Sequence, residues 1–266
     1  MKVTIITINL NNLRGLRRTM ESVVSQTSKD YEWIVIDGGS TDGSAELIRE
    51  NEEQVAWWVS EPDRGVYHAM NKGVEKANGD YLIFMNSGDI FSSADIIASF
   101  TASNPKADVF YGNAIDVDEN GKEVKKHVSP EKLTLSYFWN HWLHHQATFF
   151  HRHCFEHFRY NEELKVVSDL QLCVELFYNG YTFQKWNHLV AIAQSGGLSY
   201  VYPHVADERK AVFQNIIPTA VRAEIDEIVW LRQVDLWDTV RRIVGSKRWV
   251  RNAARLALLP FRLLLL

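Results

Sequence analysis

Two carboxylates that end apolar runs are the residues of this chain best placed to do chemistry. Asp37 follows the run 34–36 and precedes two glycines, and Asp89 follows the run 82–85 in a second glycine-containing turn. In open α/β sheets the carboxyl ends of strands form the ligand crevice, so we expect both acids to face one crevice. An acid beside a glycine turn suits a nucleotide base or ribose, and a second acid suits a divalent cation on phosphates. The two turns together predict a nucleotide-diphosphate substrate, although either turn alone is also typical of a solvated loop.

Four segments in a fixed order carry a resemblance to a known family. They are Asp37-Gly-Gly-Ser-Thr-Asp-Gly-Ser, Glu61-Pro-Asp-Arg-Gly-Val-Tyr, Ala69-Met-Asn-Lys-Gly and Asn86-Ser-Gly-Asp89. In this order they resemble the inverting family-two glycosyltransferases, and more narrowly the bacterial members that build cell-surface polysaccharides. The resemblance covers about residues 1–200. It implies transfer of a hexose-type sugar from a nucleotide-diphosphate sugar, with uridine diphosphate as the expected carrier, to a hydroxyl of a lipid-linked polysaccharide or oligosaccharide.

The resemblance places the donor site in the first third of the chain. The residues that it assigns to nucleotide-sugar binding are Thr7, Asn9, Asn11, Asp37, Arg64 and Asn71. Among them, Asp37 matches the family acid that hydrogen-bonds the base, and Arg64 lies in the segment that reaches the diphosphate. An arginine contacts phosphate oxygens through two parallel hydrogen bonds and can supplement a poor metal site. Leu10 stands where the family often has tyrosine, so we expect an apolar contact with the base there.

Asp89 is the candidate metal ligand, because a hard carboxylate suits Mg²⁺ or Mn²⁺ that bridges phosphate oxygens. The family uses an Asp-x-Asp-type motif for this purpose, whereas Asn86 here replaces the leading acid and leaves one carboxylate. We therefore expect a weakly bound divalent metal, and metal-independent transfer stays open. An N-cap of a helix is the alternative role for Asp89.

Asp169 is the candidate general base. It opens a helical pattern between apolar neighbours, and it follows the segment 145–150 by about twenty residues. By resemblance this aspartate deprotonates the acceptor hydroxyl, and His145 lines the acceptor or donor pocket. A helix N-cap is again the alternative. Six of the ten histidines fall between His141 and His157, but their spacing lacks a partner pair and thiolates, so a structural zinc site is disfavoured.

The elements that must position these residues alternate between strand and helix. Strand patterns are predicted at residues 3–8, 32–36, 55–59 and 81–85, with helices at residues 44–51 and 66–77. Later strand patterns are predicted at 109–111, 146–151, 183–186 and 189–193, with a helix at 170–178. The alternation predicts an α/β fold with a mostly parallel central sheet flanked by helices. The resemblance implies the GT-A type of that fold.

The chain is predicted to divide into a catalytic domain and a helical appendage. The GT-A catalytic domain is expected at residues 1–204, with a nucleotide-binding half at 1–100 and an acceptor-binding half at 101–204. The helical C-terminal region is expected at residues 205–266, because the pattern there is helical as far as residue 259.

The end of this region has an unusual charge. Residues 241–266 hold seven Lys/Arg and no acid in a chain of net charge −4, so the first 240 residues carry −11. Arg241, Arg248, Arg255 and Arg262 recur every seven residues, with apolar residues on other faces. This pattern predicts a basic amphipathic helix that lies on an anionic membrane surface. The alternative is a helix that packs on the acidic remainder of the chain.

Composition favours a globular protein that stays inside the cell. The chain has 266 residues, of which 46% are hydrophobic and 23% charged. Its two cysteines, Cys154 and Cys173, make no disulfide framework, which favours a reducing compartment. Neither a secretory signal nor a run of eighteen apolar residues is evident. We therefore expect a cytoplasmic protein, peripheral on the inner face of the plasma membrane, with no nucleic-acid partner.

Three other functions were weighed against sugar transfer. A nucleotidyltransferase would show a glycine-rich, lysine-bearing loop near the N-terminus, and residues 9–13 offer none. A dinucleotide-binding dehydrogenase would show Gly-x-Gly-x-x-Gly after the first strand, which is missing. A catalytically impaired, membrane-attached sugar-binding or scaffold subunit of the same fold stays open, because the motif at Asp89 is thinned.

Overall fold

The computed structural model describes residues 1–197 and 201–233. The strands are β1 (Val3–Asn9), β2 (Tyr31–Asp37), β3 (Trp57–Ser60), β4 (Tyr81–Phe84), β5 (Ile90–Phe91), β6 (Val109–Val117), β7 (Glu123–His127), β8 (Thr148–His151) and β9 (Phe183–Gln194). The helices are α1 (Leu13–Val24), α2 (Ser44–Glu50), α3 (Val66–Lys76), α4 (Ile96–Ala102), α5 (Leu135–Asn140), α6 (Cys154–His157), α7 (Ser168–Tyr178), α8 (Val205–Ile216) and α9 (Thr219–Gln233). Two 3₁₀ turns cover Glu52–Gln54 and His145–Ala147.

All the strands belong to one nine-stranded sheet of order β3-β2-β1-β4-β8-β6-β9-β5, with β7 paired to β6. The first four strands are parallel, as the strand–helix alternation predicts. Beyond them the sheet is mixed, because β8 runs antiparallel to both β4 and β6, whereas β6 and β9 are parallel. The predicted α/β fold is confirmed, and its sheet is parallel in the first half only.

Helices cover both faces of the parallel part. All seven residues of β1 are buried, and Val3 and Ile5 share a hydrophobic cluster with Leu16 of α1. Ile6 points to the opposite face, as alternation along a strand requires. There α3 approaches so closely that a Cβ atom on Gly73 would lie 2.4 Å from Ile6 Cγ2. This packing fixes the carboxyl ends of the parallel strands at one edge of the sheet.

The chain divides into two compact units between Ile217 and Pro218. The first unit contains the sheet and helices α1 to α8, and α9 belongs to the second. Within residues 1–197 and 201–233, no helix combines the length and the apolar character that crossing a bilayer requires. The predicted basic tail, residues 241–266, lies outside the described residues.

Candidate active site

A cleft of about 450 Å³ opens beyond β1 and β4, where Asn12 and Asn86 line it. Three residues predicted from the sequence line it together: Asp89, His145 and Asp169. They come from the β4–β5 turn, the second 3₁₀ turn and the first turn of α7. The other predicted residues lie outside the lining of this cleft, which we call the cleft hereafter.

Asp169 and His145 form a hydrogen-bonded line with Asn86. Asn86 Nδ2 lies 2.9 Å from His145 Nε2, and His145 Nδ1 lies 3.5 Å from Asp169 Oδ2. An amide nitrogen only donates, so in this arrangement His145 Nε2 accepts and the ring proton sits on Nδ1, facing the carboxylate. Helix α7 begins at Ser168 with Val167 as its N-cap, so Asp169 is not the cap that the alternative interpretation requires. Its side chain keeps 17% of its surface exposed, on the cleft side of the helix.

Asp89 is enclosed, with 6% of its surface exposed. Its Oδ2 accepts a hydrogen bond from Gln146 Nε2 at 2.9 Å, and its Oδ1 accepts one from the Gln194 backbone N–H at 3.0 Å. Burial raises the pKa of Asp89, and these two hydrogen bonds offset the effect only in part. A hard cation takes six or more oxygen ligands, so one carboxylate already engaged on both oxygens fits such an ion poorly. The residue leads into β5 and not into a helix, so it is not an N-cap.

A second set of potential ligands, missed by the sequence analysis, gathers at the same cleft. Asp116, His127 and His144 place their ligand atoms within 4.8 Å of one another. The register of β6 and β7 pairs Ala114 with His127, so Asp116 is its diagonal neighbour on the same face. Burial lowers the pKa of His144 to about 4, with nearby His127 adding to the effect, so this imidazole is neutral at pH 7. A carboxylate with neutral imidazoles is a donor set that suits a divalent transition metal.

Asp37 is fully buried, and both of its oxygens are engaged by protein donors. Oδ1 accepts from Asn9 Nδ2 at 2.7 Å and from Ser40 Oγ at 2.5 Å. Oδ2 accepts from the Ser40 backbone N–H at 2.9 Å and from Ser60 Oγ at 2.6 Å. Burial alone would raise the pKa of Asp37, but these hydrogen bonds outweigh it and the pKa is lowered. The carboxylate therefore ties the ends of β1, β2 and β3 together.

Two further predicted residues support the same edge of the sheet. Asn11 has a left-handed φ of 47°, and its Oδ1 accepts from the Thr41 backbone N–H at 2.9 Å. Thr7 has no exposed surface, donates to the Met85 carbonyl at 2.8 Å and accepts from Trp33 Nε1 at 3.0 Å. The Thr7 hydroxyl is thus occupied within the core, whereas Asn11 holds the two loops above it together.

Arg64 and Asn71 meet at Glu162. Arg64 Nη2 lies 2.6 Å from Glu162 Oε2, and the arginine side chain keeps 70% of its surface exposed. Asn71 is buried and exchanges two hydrogen bonds with the Tyr160 backbone, at 2.9 and 3.0 Å. Asn71 therefore anchors the segment that carries Glu162, and Arg64 is held by an ion pair at the surface.

Asp63 is a further acid at this edge that the sequence analysis did not single out. A Cβ atom on Gly38 would lie 3.2 Å from Asp63 Oδ2 and 3.2 Å from Leu10 Cδ1. On its other side, Asp63 Oδ1 lies 2.6 Å from Lys72 Nζ and 3.2 Å from His68 Nδ1. Leu10 itself is 61% exposed. An acid and an apolar side chain thus flank the turn after β2, a pairing that the motif Glu61-Pro-Asp-Arg-Gly could have indicated.

Comparison with known sequences gives consistent relatives. The model of the glycosyl transferase family 2 matches residues 4–163. An uncharacterized glycosyltransferase of Mycobacterium tuberculosis is 47% identical over 97 residues, which cover 36% of this chain and 37% of that relative. A PGL/p-HBAD biosynthesis glycosyltransferase of Mycobacterium bovis is 29% identical over 264 residues, which cover 92% of this chain and 97% of that relative.

Two solved structures share the fold. S. aureus TarS 1-349 in complex with UDP-GlcNAc has a TM-score of 0.66 at 16% identity, covering 86% of this chain and 70% of that one. In the longer TarS structure the match spans 44% of the TarS chain. The mannosyltransferase PcManGT from Pyrobaculum calidifontis, in complex with GDP-Man and Mn²⁺, has a TM-score of 0.61 at 19% identity, covering 99% and 83%. These likenesses confirm the GT-A fold.

Proposed function

This chain belongs to glycosyl transferase family 2, and we propose that it moves a hexose from a uridine-diphosphate sugar to a hydroxyl of a lipid-linked glycan with inversion at the anomeric carbon. The observation that carries the proposal is the line Asn86–His145–Asp169 in the cleft. It provides one carboxylate oxygen that faces open space and is oriented by a neighbouring imidazole. A carboxylate in such a position suits the removal of a proton from an incoming hydroxyl.

The transfer step follows from this geometry. The acceptor oxygen attacks the anomeric carbon while Asp169 takes its proton, and the bond from that carbon to the diphosphate oxygen breaks on the opposite face. His145 is a positioning residue, since its Nδ1 proton faces Asp169 Oδ2 at 3.5 Å. Asn86 Oδ1 is buried without a hydrogen-bond partner among the described residues, so it is an acceptor available to a sugar hydroxyl at the cleft.

The donor nucleotide is proposed to bind at the carboxyl ends of β1, β2 and β4. Asp37 supports this site by fixing the turn after β2, while Asp63 and the exposed Leu10 offer a polar and an apolar contact beside Gly38. The TarS structure contains UDP-GlcNAc and the mannosyltransferase structure contains GDP-Man, which supports a nucleotide-diphosphate sugar here. A divalent cation, when bound, would offset the charge that develops on the leaving diphosphate.

The proposed activity is tested by turnover with a panel of nucleotide sugars. With a lipid-linked acceptor mixture, we expect release of nucleoside diphosphate from at least one uridine-diphosphate hexose, and little release from guanosine- or thymidine-diphosphate sugars. Binding of each nucleotide by calorimetry provides the second readout. Turnover confined to guanosine-diphosphate sugars would contradict the uridine assignment. Tight nucleotide binding without any turnover would favour the scaffold function.

Membrane attachment is proposed from the sequence of the tail. Residues 241–266 carry seven basic residues and no acid, and each basic residue near an anionic surface contributes about 1 kcal/mol. Replacing Arg241, Arg248, Arg255 and Arg262 by glutamate should weaken sedimentation with anionic liposomes at low salt by about three orders of magnitude in partition coefficient. This result would support a peripheral protein on the cytosolic face of the membrane.

The matched control changes four exposed lysines elsewhere. Replacing Lys106, Lys122, Lys126 and Lys132 by glutamate alters the net charge equally but leaves the tail intact. We expect liposome binding to fall far less in this variant. Equal loss in both variants would mean that net charge, and not the tail, governs attachment. Unaltered binding after the arginine changes would exclude the tail as the membrane contact.

A further inference from the structure

We infer that Asp116, His127 and His144 form the divalent-cation site of this enzyme, and that the site takes a transition metal such as Mn²⁺ or Zn²⁺ in preference to Mg²⁺. The inference rests on the proposed transfer from a nucleotide diphosphate, whose departing charge such a cation would offset. It moves the cation away from Asp89, the ligand that the sequence predicts.

The three ligands come from three separate segments that the fold brings together. Asp116 lies near the end of β6, His127 ends β7, and His144 precedes the second 3₁₀ turn. His127 Nε2 lies 2.7 Å from Asp116 Oδ2, and the rings of His127 and His144 have centroids 3.9 Å apart. One ligand atom from each residue falls within a 4.8 Å group. Segments that are distant in sequence thus converge on one point.

The spacing is close to that of a metal site. With metal–ligand bonds of about 2.1 Å, two ligands on one ion lie about 3.0–3.4 Å apart. The His127–Asp116 pair therefore has to open by only a few tenths of an ångström, with the cation replacing the proton that the pair now shares. One carboxylate and two imidazoles carry a formal charge of −1, so a divalent cation is electrostatically favoured.

The ligand types decide which cation fits. Mg²⁺ prefers oxygen ligands in near-ideal octahedral geometry, whereas imidazole nitrogen suits Zn²⁺ and other first-row transition metals. Asp89 offers no comparable set, because its oxygens already accept from Gln146 and the Gln194 backbone. The two sites therefore predict different metals as well as different residues.

The position of the group relates it to the reaction. Asp116 and His144 line the same cleft as Asn86 and Asp169. Remaining coordination positions of a bound ion would therefore be reachable from the cleft, where a diphosphate can supply oxygens. The competing interpretation is a polar cluster that only fastens the β6–β7 hairpin, and it predicts no metal affinity.

The test is direct metal binding to the full chain, without donor or acceptor. Mn²⁺ titration followed by electron paramagnetic resonance should show one tight site, Zn²⁺ should displace the Mn²⁺, and Mg²⁺ should compete weakly. His127→Ala and His144→Ala should each raise the dissociation constant for Mn²⁺ at least about tenfold. Circular dichroism checks that both variants fold, and His144→Gln replaces either one that does not.

Two variants serve as matched controls. His153 pairs with Asp108 at 2.8 Å, so His153→Ala removes a similar pair outside the cleft lining. We expect it, and Asp89→Asn, to keep the affinity for Mn²⁺ within about twofold. Failure of the wild-type chain to bind Mn²⁺ or Zn²⁺ would overturn the inference. Loss of binding in Asp89→Asn with retention in both histidine variants would overturn it equally.

Binding and turnover separate the two proposals. If the metal binds at the histidines but no nucleotide sugar is turned over, the proposed function fails and the metal site stands. If turnover occurs and is indifferent to His127→Ala in metal-free buffer, the function stands and the metal site is overturned.

Discussion

Asp169→Asn is expected to lower kcat by about 10² to 10⁴-fold, the usual contribution of a general base. The change keeps the shape of the side chain and an acceptor for the Leu170 backbone N–H, now 2.8 Å from Oδ1. It removes the group that takes the acceptor proton, so the loss should appear in kcat while donor affinity changes little. Steady-state rates at saturating donor, with donor affinity from calorimetry, measure the two effects separately.

Asp207→Asn is the matched control, because Asp207 is a carboxylate near the start of α8 whose side chain is 81% exposed. Its kcat should stay close to that of the wild type. A variant of Asp169 that kept more than a tenth of its turnover would move the base to another group, with His145 the next candidate. A parallel loss of donor affinity would indicate that Asp169 binds substrate and does not only accept a proton.

Asp37→Ala is expected to reduce the free energy of unfolding by about 4 kcal/mol. The buried carboxylate accepts from Asn9, from Ser60 and twice from Ser40. Each buried donor left without a partner costs about 1–3 kcal/mol, and some of the four will find water or one another. Urea unfolding followed by tryptophan fluorescence gives the change. Asp30→Ala, at an exposed position, should stay within about 0.5 kcal/mol of the wild type.

The same carboxylate gives a pH dependence of known sign. The pKa of Asp37 is lower in the folded chain than in the unfolded one. Its stabilisation is therefore complete above the unfolded value of about 3.9 and is lost as the pH falls through the folded value. The wild type should lose its advantage over Asp37→Ala in that acidic range. A stable Asp37→Ala variant that only binds nucleotide more weakly would instead make Asp37 a direct donor contact.

The strands that begin the fold were predictable, because their apolar runs are long and end at glycine turns. Predicted strands at 3–8, 32–36 and 81–85 agree within a residue or so with β1, β2 and β4. Helices α4 and α5 were not predicted, since each spans only six or seven residues and shows little periodicity. The two predicted strands at 183–186 and 189–193 are one continuous strand, β9, whose pairing with β6 shifts register near Asn113.

The site was predictable where a motif names the residue and not where side-chain direction decides. Asp89, His145 and Asp169 meet at the cleft, as the resemblance implies. Thr7 shares a face of β1 with Asn9 but lies two residues deeper in the sheet, so its hydroxyl ends in the core. The Asp116–His127 contact depends on the register of a hairpin, and His144 joins it from a loop. No pattern in one sequence specifies that meeting.

The burial of Asp89 sets a rule for building chimaeric enzymes from this fold. Asp89 belongs to the predicted nucleotide-binding half, while both groups that hydrogen-bond to it come from the predicted acceptor-binding half. The Gln194 contribution is a backbone N–H, which almost any residue can supply, but the Gln146 contribution is a side-chain amide. An acceptor half transplanted from a relative would therefore need an amide donor at position 146. Without it, the graft would enclose a carboxylate that has lost half of its hydrogen bonds, and the seam between the two parents would fail first at that point.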